Sequence, residues 1–484
     1  MDKVNFINQS TSLILVITIS LTFTLVGLLY SKKYKGLNNY LTANRSVGYF
    51  SLSTSLVASA LGAWILFGPA SAATWGGIGA VIGYALGTAF PMIFLLFLGK
   101  KIRNEFPEGA TLIEFLRKRF KKNLFRLVLF MSIFYMFVFL CAEVTAVAIL
   151  INYISGTALW ITAFIVLTCT LTYTLYGGLR ASIFTDTIQL IVIVVLLITS
   201  VFYLTKFTGN QFSFEFINQK NPQLLSGSYA LNYTAGLTFF IAVAATNLFH
   251  QGNWQRVYAA KNNEVLNRSL IISFIIIIPI VFFMGFCGLV AISIDPSVVP
   301  DLSFFSLLLK DQTKFLSIIV IILGLSLTIS TVDTLVNALS SLVIVDAKAA
   351  LNLTRKVDYL KLSKYFIIGL SFISFIISSK GFSVLYLFLL ADLFCCAFVL
   401  TVFYSFYNKQ LNEKIAYTSI ILGLVGGLLL FPAPDFSKSL LVGIILPTEL
   451  FPLFISKSLL FNSFLVATVG PAIVIMLYDS IKRR

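Results

Sequence analysis

The chain has 484 residues, of which 58% are hydrophobic and only 11% charged, whereas soluble domains carry roughly 25% charged residues. Its formal net charge is +16, but the basic residues sit in short loops between apolar segments, where they orient helices and meet anionic headgroups rather than nucleic acid. No polar stretch is long enough to build a core of its own, so a soluble enzyme or binding module is excluded.

Thirteen apolar segments approach the roughly twenty residues that a membrane-spanning helix needs. They lie near 11–30, 48–70, 77–99, 124–153, 157–176, 182–205, 229–250, 268–293, 315–346, 362–379, 383–407, 415–431 and 460–479. The first follows Lys3 without a small-residue cleavage pattern, so it reads as a retained span rather than a signal peptide. The stretch 440–454 (LLVGIILPTELFPLF) is apolar but broken by Pro447, Glu449 and Pro452, and reads as a re-entrant or surface helix.

An outside N-terminus puts 27 of the 35 basic residues in inside loops and leaves 8 outside. The inside set includes Lys32 to Arg45, Lys100 to Arg126, Arg180, Arg256, Lys261, Arg268 and the C-terminal Lys482, Arg483 and Arg484. The positive-inside rule therefore predicts an N-out, C-in topology with an odd number of spans. All five cysteines (Cys141, Cys169, Cys287, Cys395 and Cys396) fall in apolar segments, which argues for small core residues rather than disulfides or a zinc site.

Two segments differ from lipid-facing helices. Segment 48–70 (GYFSLSTSLVASALGAWILFGPA) is rich in Ser, Thr, Ala and Gly, and LTISTVDTLVNALSS in 315–346 is dense in hydroxyls around Asp333. Small and polar faces pack against other helices, and unwound backbone is tolerated at membrane depth only where it lines a cavity.

Four carboxylates lie inside apolar segments: Glu143, Asp186, Asp333 and Asp392. Each costs at least about 2.5 kcal/mol at a helix centre, so such an acid faces a partner or a pathway. No nucleophile–base pair or His/Cys cluster accompanies them, so the chain is not expected to be an enzyme. An inorganic cation or a proton is the natural counter-charge, and hydroxyls, carbonyls and carboxylates are the oxygen ligands a hard cation prefers. Several roles stay open. Asp186 near a helix start serves the helix dipole or a cation site; Asp392 bonds a neighbouring hydroxyl or a substrate; Glu143 is a buried protonated acid or a pocket residue. Asp333 is the strongest functional candidate, because Ser330, Thr331 and Thr334 stand within one turn of it.

Four motifs in order resemble the sodium:solute symporter family over roughly residues 10 to 410: NRSVGYFSLSTSLVASALGAWILFGPA, TYTLYGGLRASIFTDTIQ, QRVYAAKN and STVDTLVNALS. They are similar to the family's first, fifth, sixth and eighth core helices. The resemblance implies an all-α integral membrane protein with a leucine-transporter-like core of two inverted five-helix repeats, 48–205 and 229–407. One helix (11–30) precedes this core and two (415–479) follow it, all within a single transporter domain over 1–484.

It also implies a sodium site formed by carbonyls of Ala58, Leu61 and Leu327 and hydroxyls of Ser330 and Thr331. A second cation or proton site would use Asp186, Ser330, Asp333 and Thr334. Ala60, Trp64, Glu143, Asn247 and Asp392 are candidate pocket residues, with Trp64 either a gate or an interfacial anchor. Proline symporters carry an acid where this chain has Ala60, and their pocket aromatics fall on Leu140, Val243 and Asn247 here, which disfavours proline. YLFLLADLFCCAF and the GNW before QRVYAA are similar to the urea-type branch.

The resulting expectation is a sodium-coupled symporter importing urea, an amino acid, an amine or a similar solute, with a proton-coupled symporter as the main rival. A channel lacks its continuous polar stripe, and a transporter-like sensor would add a cytoplasmic signalling domain, whereas the chain stops soon after its last span. Sodium, the solute and the lipid bilayer are the expected partners, with no organic cofactor, nucleic acid or obligate protein partner. The many Lys, Asn, Ile and Phe residues fit an AT-rich bacterial gene, hence a bacterial inner membrane.

Overall fold

The structure, a computed structural model, describes residues 6–120, 122–309, 314–351, 358–408, 410–442 and 458–482. The expected re-entrant or surface helix at 440–454 lies almost wholly outside the described residues. Those described are overwhelmingly helical, and 11 of their helices are long and apolar enough to cross a membrane.

In chain order the principal helices are α1 (Gln9–Ser31), α2 (Tyr49–Ala60), α3 (Gly68–Glu105), α4 (Lys122–Ser155), α5 (Leu159–Thr208), α6 (Ala230–Phe249), α7 (Gln251–Ala259), α8 (Asn263–Ile294), α9 (Lys314–Leu351), α10 (Tyr359–Ser378), α11 (Val384–Tyr404), α12 (Glu413–Leu430) and α13 (Leu459–Lys482). Side-chain caps start many of them: Asn8 accepts from the Thr11 amide, Asn262 from Val265 and Asp358 from Lys361.

The expected thirteen spans and the observed eleven differ at two places. Segments 157–176 and 182–205 form one bent helix, α5, which turns at Gly178 (φ 61°, ψ −154°). Segment 48–70 is divided between α2, a short 3-10 turn Ala63–Leu66 and the start of α3, so no part of it is a long helix. A second turn at Gly77 (φ 59°, ψ −157°) then separates the end of that segment from the span that follows.

Burial sorts the helices into centre and periphery. In the apolar window of α9, 83% of residues are buried, against 33% in α1 and 22% in α10. Hydroxyl-rich α9 is thus the central post, and α1 and α10 leave much of their surface outside the protein. The most extensive helix contacts join α3 to α6 and to α8. Close approach there depends on absent side chains: a β-carbon on Gly83 would collide with the backbone of Gly236 in α6. In a membrane, where tails are as apolar as leucine, such small-residue contact is a main source of helix association.

Gly83→Val is expected to separate α3 from α6 and destabilise the protein by about 1–3 kcal/mol, the usual range for overpacking. Thermal unfolding in detergent, followed by intrinsic fluorescence, reads this as a lowered midpoint; an unchanged midpoint would show that the contact contributes little.

Candidate functional site

Two helices break at membrane depth. The hydrogen-bond ladder of α2 closes with the Leu61 amide on the Val57 carbonyl. Leu61 (φ −103°, ψ 72°) and Gly62 (φ −74°, ψ 179°) then leave the helical region. The carbonyls of the last α2 turn and of Leu61 fall beyond that ladder and need other partners. On the amide side the remedy is Glu143 of α4, whose Oε2 accepts from the Ala63 N–H at 2.9 Å. A β-carbon at Gly62 would strike Glu143 Oε1, so glycine is what lets the carboxylate reach the break.

The second break falls between α6 and α7 at His250 (φ −60°, ψ 107°). His250 Nδ1 accepts from the Gly252 amide at 3.1 Å, which leaves its proton on Nε2. Asn253 Nδ2 and Trp254 Nε1 donate to the carbonyls of Asn247 and Leu248 at 2.9 and 2.8 Å. The end of α6 is thereby satisfied without water. The hydroxyl-rich segment 315–346, by contrast, is one continuous helix, α9.

A cavity lies between the two breaks. Ser59, Ala60 and Trp64 come from the first, Thr246, Asn247 and His250 from the second, and α3, α4 and α11 contribute Tyr84, Phe139, Phe388 and Asp392. Its volume is about 20 Å³, room for a single water. Asp392 Oδ1 accepts from Thr246 Oγ1 at 2.6 Å.

A charged layer sits beside this cavity, among α2, α5, α7 and α9. Arg256 is completely buried and its Nη2 meets Asp186 Oδ2 at 2.8 Å. Ser55 Oγ donates to the same oxygen at 2.5 Å, and Ser330 Oγ to Oδ1 at 2.6 Å. Arg256 further donates to Ser55 Oγ from Nε (2.7 Å) and to Thr334 Oγ1 from Nη2 (2.8 Å).

Asp333 is held mainly from α5 and touches this layer through Thr334 Oγ1, which donates to its Oδ1 at 3.4 Å. Its carboxylate accepts from Tyr173 Oη (2.5 Å), Ser182 Oγ (2.7 Å) and Thr185 Oγ1 (3.2 Å), all on α5. Ser330 and Thr334 (i, i+4) share one stripe of α9, and Asp333, about 100° round the helix from Thr334, is the one on the α5 side. Thr331 Oγ1 is buried with no protein partner. A buried hydroxyl left so costs about 1–3 kcal/mol, so a bound group there would be favoured.

Set against the expected residues, the structure groups Ala60, Trp64, Asn247 and Asp392 around the cavity; Leu327, Ser330 and Thr331 stand on α9, which packs against α2, the helix that carries Ala58. Glu143 is corrected: it does not line the cavity but caps the chain after the first break. Arg256 is also corrected, from a loop cation to a buried one. Of the residues expected to form a second cation or proton site, Asp186 and Thr334 both meet the Arg256 guanidinium, and Asp333 accepts from α5 and from Thr334 Oγ1. Sequence reasoning missed Tyr84, Phe139, Phe388 and His250 as cavity residues, Tyr173 and Ser182 as partners of Asp333, and Asp346, another buried acid, bonded by Thr111 Oγ1 at 2.8 Å.

Removing one member of a buried ion pair costs about 3–5 kcal/mol, because the other charge is left uncompensated. Asp186→Asn and Arg256→Gln should each cost that much in unfolding free energy, and the double variant less than the sum of the two. A double-mutant cycle measured by denaturant unfolding checks this; additive losses would mean the pair is not coupled.

Known proteins bear on this geometry. The family model described as the sodium:solute symporter family matches residues 40–423. A spermidine transporter of Candida albicans is 27% identical over 67% of this chain and 62% of its own length. A sodium/proline symporter of Salmonella typhimurium is 30% identical over 44% and 43%. The chain thus spans less than two thirds of the length of these curated relatives. A Na+-coupled sialic acid symporter, solved substrate-bound and outward-open, superposes with a TM-score of 0.72 at 17% identity, covering 97% of this chain and 98% of that one. At that identity the likeness establishes the fold, which is the leucine-transporter-like arrangement of helices. With the family model matching 384 of 484 residues, the chain belongs to the sodium:solute symporter family.

Proposed function

We propose that the protein is a sodium-coupled symporter that carries a small organic solute inward by alternating access. What supports this reading is the break at Leu61–Gly62 at the end of α2, a helix that packs against α9, together with Thr331 Oγ1 of α9, buried with no protein hydrogen bond. Sodium is bound there as a transported ion by the carbonyls of Ala58, Leu61 and Leu327 and the hydroxyls of Ser330 and Thr331. Sodium at this position ties α2 to α9 and orders the adjacent cavity, and solute then joins. By linkage, each ligand must strengthen the other's binding. One charge crossing about 100 mV supplies roughly 2.3 kcal/mol, about a fifty-fold accumulation per sodium.

The repeats are taken as 48–205 and 229–407, the membrane as a bacterial inner membrane and the topology as N-out, C-in. Names of relatives range over spermidine, proline and glucose, so they leave the cargo open. Because Arg256 already neutralises Asp186, the second site does not need a second sodium, and one sodium per cycle is the expected stoichiometry. Proton coupling is the rival reading. What favours it is Asp333, a buried carboxylate with hydroxyl donors only.

Reconstituted in liposomes, Thr331→Ala should raise the half-saturating sodium concentration by about ten-fold, the equivalent of one lost ligand worth about 1.4 kcal/mol. Ser330→Ala with Thr331→Ala should abolish sodium-driven uptake. Uptake indifferent to sodium but collapsed by dissipating a pH gradient would replace sodium by a proton, with Asp333 as its carrier.

A further inference from the structure

The cavity between the two breaks is aromatic, with a single acid set in it. Trp64 stacks on Tyr84 with ring centroids 5.8 Å apart and planes 23° apart. Phe139 stands edge-on to Phe388 at 4.5 Å. Between these pairs α11 places Asp392, only 5% exposed, whose protein hydrogen bond comes from Thr246. Among the described residues Asp392 has no ion-pair partner, in contrast to Asp186.

A carboxyl among ring faces is relieved in two ways, by taking a proton or by meeting a cation, and only the second gives a ligand a charge to bind. Isolated in low dielectric the carboxylate is costly, and it is relieved by an opposite charge that keeps hydrogen bonds to it. The rings add attraction, since a cation over their faces gains about 0.5–2 kcal/mol. Asn247 donates its amide to the Val243 carbonyl at 3.0 Å, leaving Oδ1 as an acceptor. His250 Nε2 is buried and unpartnered, a single donor open to a hydroxyl or carbonyl carried elsewhere on the ligand and not used by the ammonium itself. An anionic carboxylate finds no cation in this lining and is repelled by Asp392. A sugar, with several hydroxyls, finds too few polar groups.

We infer that this cavity binds an organic ammonium, a primary or secondary amine, with Asp392 as its counter-charge, Asn247 accepting a further N–H and Trp64, Tyr84, Phe139 and Phe388 enclosing the cation. This substrate class rests on the symporter reading for its transport. At about 20 Å³ the cavity must widen to admit the ligand, and its walls come from both broken helices and from α3, α4 and α11, the elements whose relative motion alternating access requires. With sodium, a monoamine would carry two charges inward per cycle, where a neutral solute carries one.

The test uses the full chain in liposomes, with labelled butylamine, 1,4-diaminobutane, tetramethylammonium, urea, proline and glucose as probes. Amine binding, uptake and current per molecule are read under an inward sodium gradient, and sodium binding separately by tryptophan fluorescence. Expected are sodium-driven butylamine uptake with two charges per molecule and weak tetramethylammonium binding. Asp392→Asn should lower amine affinity about 30-fold or more while keeping the sodium fluorescence response. Asp392→Glu should retain part of the affinity. Absence of amine binding by the natural protein overturns the inference. So does uptake of urea, proline or glucose with one charge each and no loss in Asp392→Asn. Amine uptake abolished by Asp392→Asn but indifferent to sodium would instead overturn the sodium reading and leave the ammonium site standing.

Discussion

A chain inside a bilayer must satisfy its own backbone, and that constraint governs every irregular feature of this protein. Helices meet it by their internal bonds; a broken helix does not. The break after α2 is tolerated because Glu143 reaches the freed Ala63 amide from another helix, past a glycine that leaves room. The break after α6 is tolerated because His250, Asn253 and Trp254 turn back on it. Where the two breaks face each other, there is a cavity.

Charge is handled with similar economy. Asp186 and Arg256 share one layer with Ser55, Ser330 and Thr334, so both are hydrogen-bonded as well as paired, as a buried pair requires. Ser330 belongs both to this layer and to the residues opposite the first break. Occupancy at the break and the ion pair are therefore linked through one hydroxyl, a short path by which a bound ion would influence α5 and α7. Asp333, on the same helix, is held by hydroxyl bonds from α5 and meets the layer through Thr334 Oγ1, which donates to its Oδ1 at 3.4 Å.

Particular residues show how far the site was legible. Segment 48–70 announced its break through small residues and hydroxyls, and the turn falls at Leu61–Gly62, ahead of Trp64. The hydroxyls of α9 were legible from spacing alone. Arg256 was not: it stands in QRVYAAKN, a polar run that reads as a loop, and only the turn at His250 carries α7 back into the protein. A signal existed in Asp186, an intramembrane acid that needed a cation. The cavity aromatics were hidden by number, because 47 phenylalanines and 20 tyrosines leave no way to pick Phe139, Phe388 and Tyr84 from sequence.

The sequence by itself determined the membrane class, nearly every span and the family, because hydropathy and short motifs are local and a bilayer punishes any departure from them. It also determined which residues are chemically unusual, since an acid in an apolar segment is visible without coordinates. Only the tertiary structure decided their partners: Glu143 to a backbone amide, Asp186 to Arg256, Asp333 to Tyr173 and Ser182, and Asp392 to Thr246 within an aromatic cavity. Partnership depends on which faces of distant helices meet, and small residues such as Gly62 and Gly83 decide that through packing that no local pattern encodes.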